Sequence, residues 1–177
     1  MKFEKYLTET TLSRLWKHAN NKNIPVSIIT AFRSENTNKE NLQRNKVLAA
    51  KVKNAGYGYF FLEGHWIKNT GTEDEVKVKE SSIFIVGNNN DNGRLVGLIK
   101  QFINDYEQEA AIIKREGMDI FELIYNNGKV EKIGKLKPNN IDNIYSKIRR
   151  GNKTFIFEDY IMFAGNWFSK MIEKTGE

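Results

Sequence analysis

Glu75, Val76 and Lys77 place a carboxylate and an amine two residues apart, and alternation along a strand would put both side chains on one face. Metal-dependent nucleases use such a pair, the carboxylate holding a divalent ion and the lysine stabilising charge or positioning water. Glu63 and Glu80 are the further carboxylates open to that site, and Mg²⁺ is the one cofactor it requires. The competing reading is a solvated strand face carrying Glu75, Lys77 and Lys79. His65, between Gly64 and Trp66, is of the type most easily tuned near neutral pH. No Ser, Asp and His set at a diagnostic spacing accompanies it and there is no nucleophile elbow, so it reads as a hydrogen-bonded structural or ligand-contacting residue. Lys147, Arg149, Arg150 and Lys153 surround Gly151 at an expected helix end, where cations complement the helix dipole and could receive phosphate. Arg33 and Ser34 directly follow an apolar run, and a loop at a strand end is where ligand groups converge.

The aromatic run Tyr57, Tyr59, Phe60, Phe61 in a chain of net charge +6 raises stacking on single-stranded nucleic acid. Alternation sends Phe60 and Leu62 to one face and Tyr57, Tyr59 and Phe61 to the other, and one of those faces belongs to the core. Gly56, Tyr57, Gly58 is too short for a dinucleotide fingerprint and reads as a helix cap.

The elements that must position these groups come from a chain of 177 residues with no Cys and two Pro. That length suits one compact domain, residues 1–177, with a core large enough to fold without disulfides or a structural metal. The lack of Cys excludes thiolate nucleophiles and Cys-ligated zinc, and two His far apart in sequence argue against a two-histidine metal site. No apolar run is long enough to cross a bilayer and no targeting signal opens the chain, so a cytoplasmic protein with no membrane partner is expected.

Apolar spacing predicts helices over Leu7 to Asn20 and Lys39 to Ala55, the second ended by Gly56 in a left-handed cap. A helix through Leu95 to Tyr106, another near Ile141 to Arg149 and a last one through Tyr160 to Met171 follow. Strands are expected at Val26 to Phe32, Tyr57 to Ile67, Glu75 to Val86, Ala110 to Lys114, Ile120 to Tyr125, Val130 to Ile133 and Thr154 to Phe157. Asn69, Thr70, Gly71 and Asn126, Asn127, Gly128 mark hairpins, and Gly87 to Gly93 is a loop by composition. The sum is an α+β domain, a mostly antiparallel or mixed sheet packed with about four to five helices.

The run Ile28, Ile29, Thr30, Ala31, Phe32, Arg33, then Asn41, Arg44, Asn45 and Leu48, then Gly56, Tyr57, Gly58, Gly64, Lys79, Glu80, Ser81, Ser82, and finally Gln108, Glu109, Ala110, resembles a widespread small tailed-phage protein family of unknown function. The same order is similar to the bacterial domain-of-unknown-function family 3293, with a departure at Ser81, where a Pro is usual. The resemblance covers residues 24–125, leaving a C-terminal hairpin, strand and helices over 126–177, and it transfers no catalytic residue. It points to Thr30, Arg33, Ser34, Asn45, Glu80, Ser81 and Gln108 as the matched positions that a simple core argument explains least. Such polar groups must be bonded, either in an internal network or as the lining of a pocket. As a pocket they suit an anionic, hydrogen-bond-rich ligand such as a nucleotide.

The resulting expectation is a non-enzymatic phage accessory protein in the host cytoplasm that binds a nucleotide or nucleic acid, in host takeover or counter-defence. Arg33 and the Lys147 to Lys153 cluster would supply charge, and Asn45, Ser34 and Gln108 directional hydrogen bonds. The alternatives are a metal-dependent nuclease or hydrolase built on Glu75 and Lys77, and a virion or host-protein interaction module. In the last, the helix through Tyr160 to Met171 would be the contact or homo-oligomer surface.

Overall fold

The computed structural model describes residues 17–68, 73, 76–138, 145–148 and 154–157, with side chains described at 17–61, 73 and 81–135. Nine strands form one sheet: β1 (Val26–Ile29), β2 (Gly58–Lys68), β3 (Val76–Val86), β4 (Ala110–Lys114), β5 (Phe121–Tyr125), β6 (Val130–Gly134), β7 (Leu136–Pro138), β8 (Tyr145–Ile148) and β9 (Thr154–Phe157). Their order is β6-β5-β4-β1-β3-β2-β8-β9-β7, and every pairing is antiparallel. Helix α1 (Asn38–Asn54) lies between β1 and β2, and α2 (Arg94–Asp105) between β3 and β4.

The pattern of β-branched and aromatic residues produces this sheet, and its two faces are both covered. On one face Ile29, Ile83, Ile85, Ala111, Ile113 and Ile124 pack with Leu48, Ala49 and Val52 of α1 and Leu95, Ile99, Phe102 and Ile103 of α2. Full burial of each Val, Leu, Ile or Phe side chain among them contributes about 1.5–3 kcal/mol. On the other face Phe60, Phe84, Ile28, Ile112 and Leu123 stand side by side by strand register. Residues 17–19 are helical there and the chain turns at Asn20, with the His18 ring 6.5 Å from Phe60. Among the described side chains of the aromatic strand, Tyr59 and Phe61 pack partly buried against the helix-side core, while Phe60 meets Phe84 and His18.

Helix α1 begins where Thr37 and Glu40 form a reciprocal capping box, Glu40 N donating to Thr37 Oγ1 at 3.2 Å and Thr37 N to Glu40 Oε2 at 2.7 Å. Gly56 follows its end at φ +91°, the left-handed cap expected there. The loop between β3 and α2 turns through left-handed Asn90 and Asn92, as its composition implies. The β5–β6 hairpin closes at Gly128, φ +86°, and β2 pairs with β3 from Gly58↔Val86 to Lys68↔Val76.

Two expectations are corrected. Within the helix expected near Ile141 to Arg149, the described residues Tyr145–Ile148 form a strand instead, β8, paired with β2 through Leu62↔Ile148 and His65↔Tyr145. The unpaired edge of β2 recruits it, and tertiary pairing overrides a weak local helix preference. Lys147 therefore stands on a strand, not at a helix end, while Arg149, Arg150 and Lys153 lie outside the described residues. Against the four to five helices expected, the described residues hold two substantial ones, α1 and α2, and the helical turn at 17–19. The helix expected through Tyr160 to Met171 lies outside them. Strand β7 was not anticipated; its three residues pair with β9.

Candidate functional site

Beyond Ile29 the β1 ladder ends, but the chain runs on and side chains take over its backbone groups. Ala31 N donates to Asn45 Oδ1 at 2.8 Å, and Asn45 Nδ2 donates to Ser81 O at 2.7 Å. Thr30 Oγ1 donates to the same Ser81 carbonyl at 2.8 Å. Arg33 N donates to Asn41 Oδ1 at 2.8 Å, and Asn41 Nδ2 returns a bond to Arg33 O at 2.9 Å. Arg44 Nε donates to Ala31 O at 2.7 Å. Asn41, Arg44 and Asn45 fall on one stripe of α1 because residues three and four apart share a helix face. With Asn41 and Asn45 buried, that stripe grips the 30–33 segment as a neighbouring strand would.

A second chain segment meets this one. Helix α2 ends with Glu107 N donating to Asn104 O at 3.2 Å and Gln108 N to Ile103 O at 2.8 Å. These are the two bonds of a Schellman motif, and its left-handed position is filled by Glu107 at φ +53° instead of a glycine. Gln108 Nε2 donates to Phe32 O at 3.1 Å and Tyr106 O at 3.0 Å, and Arg44 Nη2 to Tyr106 O at 3.2 Å. The Arg33 guanidinium pairs with the carboxylates of both Glu35 and Glu107. The Glu35 carboxyl is held below its ordinary range, first by a bond to its own backbone and then by Arg33. The Tyr106 ring carries Lys51 Nζ at 4.9 Å and Arg44 Cζ at 5.4 Å from its centroid.

Of the residues singled out from sequence, Thr30, Arg33, Asn45, Ser81 and Gln108 converge here, Ser81 through its backbone carbonyl. Ser34 is exposed beside them. Glu80 lies on β3 opposite Gly64, and Glu63 on β2 opposite Ser81, so backbone register brings both strands' acidic positions toward the Ser81 end of the network. Glu75 is outside the described residues, as are the side chains of Lys77 and His65. Among the described residues no group of three or more His, Asp or Glu is placed to hold a metal ion. No helix among them is long and apolar enough to cross a membrane.

Asn41 and Arg44 stood in the matched run without being singled out as site residues, and Glu107 was not singled out at all. The available signal was Asn41, Arg44, Asn45 at helical spacing ahead of apolar Leu48 and Val52, which marks a polar patch on a buried helix face. Both Asn45 amide groups and the Thr30 hydroxyl are spent on the backbone. Gln108 uses its amide nitrogen twice and has its carbonyl oxygen left to offer.

A search of curated proteins finds no match. A solved structure of a phage SAM lyase in complex with S-methyl-5′-thioadenosine aligns over 71% of this chain and 88% of its own, at 16% identity and a TM-score of 0.30. The family model of the S-adenosylmethionine lyases matches residues 27–163, most of the chain and the whole of the region just described. That match corrects the expectation of a non-enzymatic binding protein, its nuclease and interaction-module alternatives, and the assignment to a family of unknown function. The chain belongs to the S-adenosylmethionine lyase family.

Proposed function

We propose that this protein cleaves S-adenosylmethionine, releasing methylthioadenosine. The observation that carries the reading is the family match over residues 27–163. A lyase adds no water, so the bond between the sulfonium and Cγ of the aminobutyryl chain breaks with its electron pair passing to sulfur. That leaves a neutral thioether. The simplest balanced partner step has the substrate's own carboxylate oxygen bond to Cγ as sulfur departs, closing a five-membered lactone with no proton transferred and no cofactor. The competing route, loss of a Cβ proton to a base, gives an unsaturated amino acid and a released proton.

Ring closure asks the protein chiefly to fold the aminobutyryl chain so that its oxygen lies in line behind Cγ, a demand of orientation. The site also loses positive charge at sulfur as the reaction proceeds, so carboxylates too close to the sulfonium would favour the ground state. Among the described residues, the Gln108 carbonyl oxygen can accept from the substrate ammonium or adenine, and half-buried Glu109 supplies negative charge beside it. Arg33 is the nearest cation of the network, and since it is paired with Glu35 and Glu107 it acts by holding those segments in place and not by binding the substrate carboxylate. Thr30, Asn41 and Asn45 hold the frame. Ser34, Glu80 and Glu63 complete the candidate set, on the adjoining loop and strands. In a phage-infected cell the consequence would be loss of the methyl donor that host restriction systems consume, which agrees with a counter-defence role in the host cytoplasm.

The test is incubation of the purified protein with S-adenosylmethionine and mass analysis of the products. Methylthioadenosine and the lactone in equal amounts are expected, without deuterium uptake in D₂O. Unconsumed substrate would remove the proposal, and an unsaturated amino acid with proton release would replace the ring-closing route.

A further inference from the structure

Glu107 occupies the one position of the α2 terminus where an L side chain is disfavoured. A left-handed φ of +53° at the residue after a helix is ordinarily taken by glycine, and Cβ makes it strained for glutamate. Strain of this kind persists where the surroundings over-determine it, and here they do. The Glu107 side chain is 71% exposed but its carboxylate pairs with Arg33, Arg33 Nη1 also reaches Glu107 O at 3.4 Å, and both Schellman bonds fix its backbone. Arg33 is itself held through its backbone by Asn41 at 2.8 Å. The next residue is Gln108, whose amide is tied back to Phe32 O, one residue before Arg33. Thus the 32–33 and 107–108 dipeptides are laced together twice, once by Arg33 with Glu107 and once by Phe32 with Gln108. A glycine at 107 would satisfy the backbone and leave out the first lacing.

We propose that Glu107 is a positioning residue for S-adenosylmethionine cleavage, its pairing with Arg33 setting the orientation of Gln108 and Glu109 at the head of β4. The inference rests on the proposed lyase activity. It takes the left-handed glutamate as a feature retained for function at a cost in stability, which separates it from an ordinary helix cap.

The experiment measures kcat and Tm for the wild type, Glu107→Gly and Glu107→Gln. Glu107→Gly relieves the strain and removes the pairing, so Tm should hold or rise by about 2–4 °C while kcat falls about tenfold or more. Glu107→Gln keeps the strain and loses the charge, so its kcat should fall similarly with no gain in Tm. A kcat within twofold of wild type in Glu107→Gly overturns the inference, as does a kcat loss accompanied by a matching loss of Tm, which is the signature of a merely structural cap. Wild-type protein that fails to cleave the substrate overturns the lyase reading itself, and is read before any variant is made.

Discussion

The Tyr57 hydroxyl donates to Asp91 Oδ1 at 2.5 Å, and the other oxygen of that carboxylate accepts from Leu95 N at 2.7 Å. Gly93 stands at the N-cap of α2 with no side chain to offer, so Asp91 caps the helix from two residues upstream. The bond fastens the start of α2 to the residue that leads into β2, with both partners buried.

Asp91→Ala should therefore cost about 2–4 kcal/mol, since it leaves a buried hydroxyl and a helix N–H without an acceptor. Tyr57→Phe should cost about 1.5–3 kcal/mol, the range for a bond to a charged group. Urea unfolding followed by tryptophan fluorescence measures both, and a change below about 0.5 kcal/mol in either would contradict the capping role.

Lys114 has no exposed surface, and its Nζ donates to Asn21 O and Ile24 O at 2.7 Å and to Met118 O at 3.4 Å. Burial lowers its pKa to about 8, against a smaller opposing pull from Asp119. Between about 8 and the ordinary lysine value of 10.5 the unfolded chain binds a proton that the folded one has released, so stability should rise with pH across that window. Lys114→Met should flatten the rise and cost about 1–3 kcal/mol at pH 7, because Ile24 O loses its donor and Asn21 O keeps only the long bond from Ile24 N at 3.4 Å. Urea midpoints from pH 7 to 10 provide the comparison.

At higher pH the tyrosines act in the opposite sense. Burial first, and then the bond to Asp91, push Tyr57 up to about 12, and burial with the Glu131 bond raises Tyr125 as well. The folded protein then holds a proton that the unfolded chain gives up near 10, so stability is complete below 10 and lost as pH climbs toward 12. Tyr57→Phe should lessen that decline; an unaltered slope would count against it.

Asn45 is 1% exposed and joins Ala31 N to Ser81 O. Asn45→Leu, similar in size, should destabilise by about 1–3 kcal/mol, because the Ala31 amide is left buried without an acceptor while Ser81 O keeps only its bond from Thr30. Hydrogen exchange should show the Ala31 amide losing protection before the amides of β1 do.

Gly87 is required for space. A Cβ there would lie 2.4 Å from Pro25 O and 2.5 Å from Pro25 Cγ, and Gly87 N already donates to Pro25 O at 2.8 Å. Gly87→Ala should cost about 1–3 kcal/mol as the β1 entry is pushed aside, readable as a fall in Tm.

Strands with strong local signals were legible from sequence. Ala110–Lys114 and Thr154–Phe157 match their expected ranges, and Gly128 and Gly56 mark the turn and the cap expected of them. Those features depend on periodicity and left-handed tolerance, which are properties of a few neighbouring residues. Tyr145–Ile148 escaped because a short amphipathic stretch becomes a strand only when another strand's edge is there to pair with it. The site was half legible. Thr30, Arg33, Asn45 and Gln108 could be named as polar residues out of place beside apolar ones, but not that the amides of Asn45 and Gln108 are spent on the backbone.

By itself, then, the order of residues determined an α+β chain with a mostly antiparallel or mixed sheet and no thiol chemistry, and a polar set needing partners that only the fold could supply. The tertiary structure decided which partners those are: α1 standing in for a strand beside residues 30–33, and Arg33 meeting a left-handed Glu107 across 74 positions of sequence. Short-range preference follows from backbone sterics and side-chain period, whereas a hydrogen bond between distant residues exists only once packing has brought their segments together.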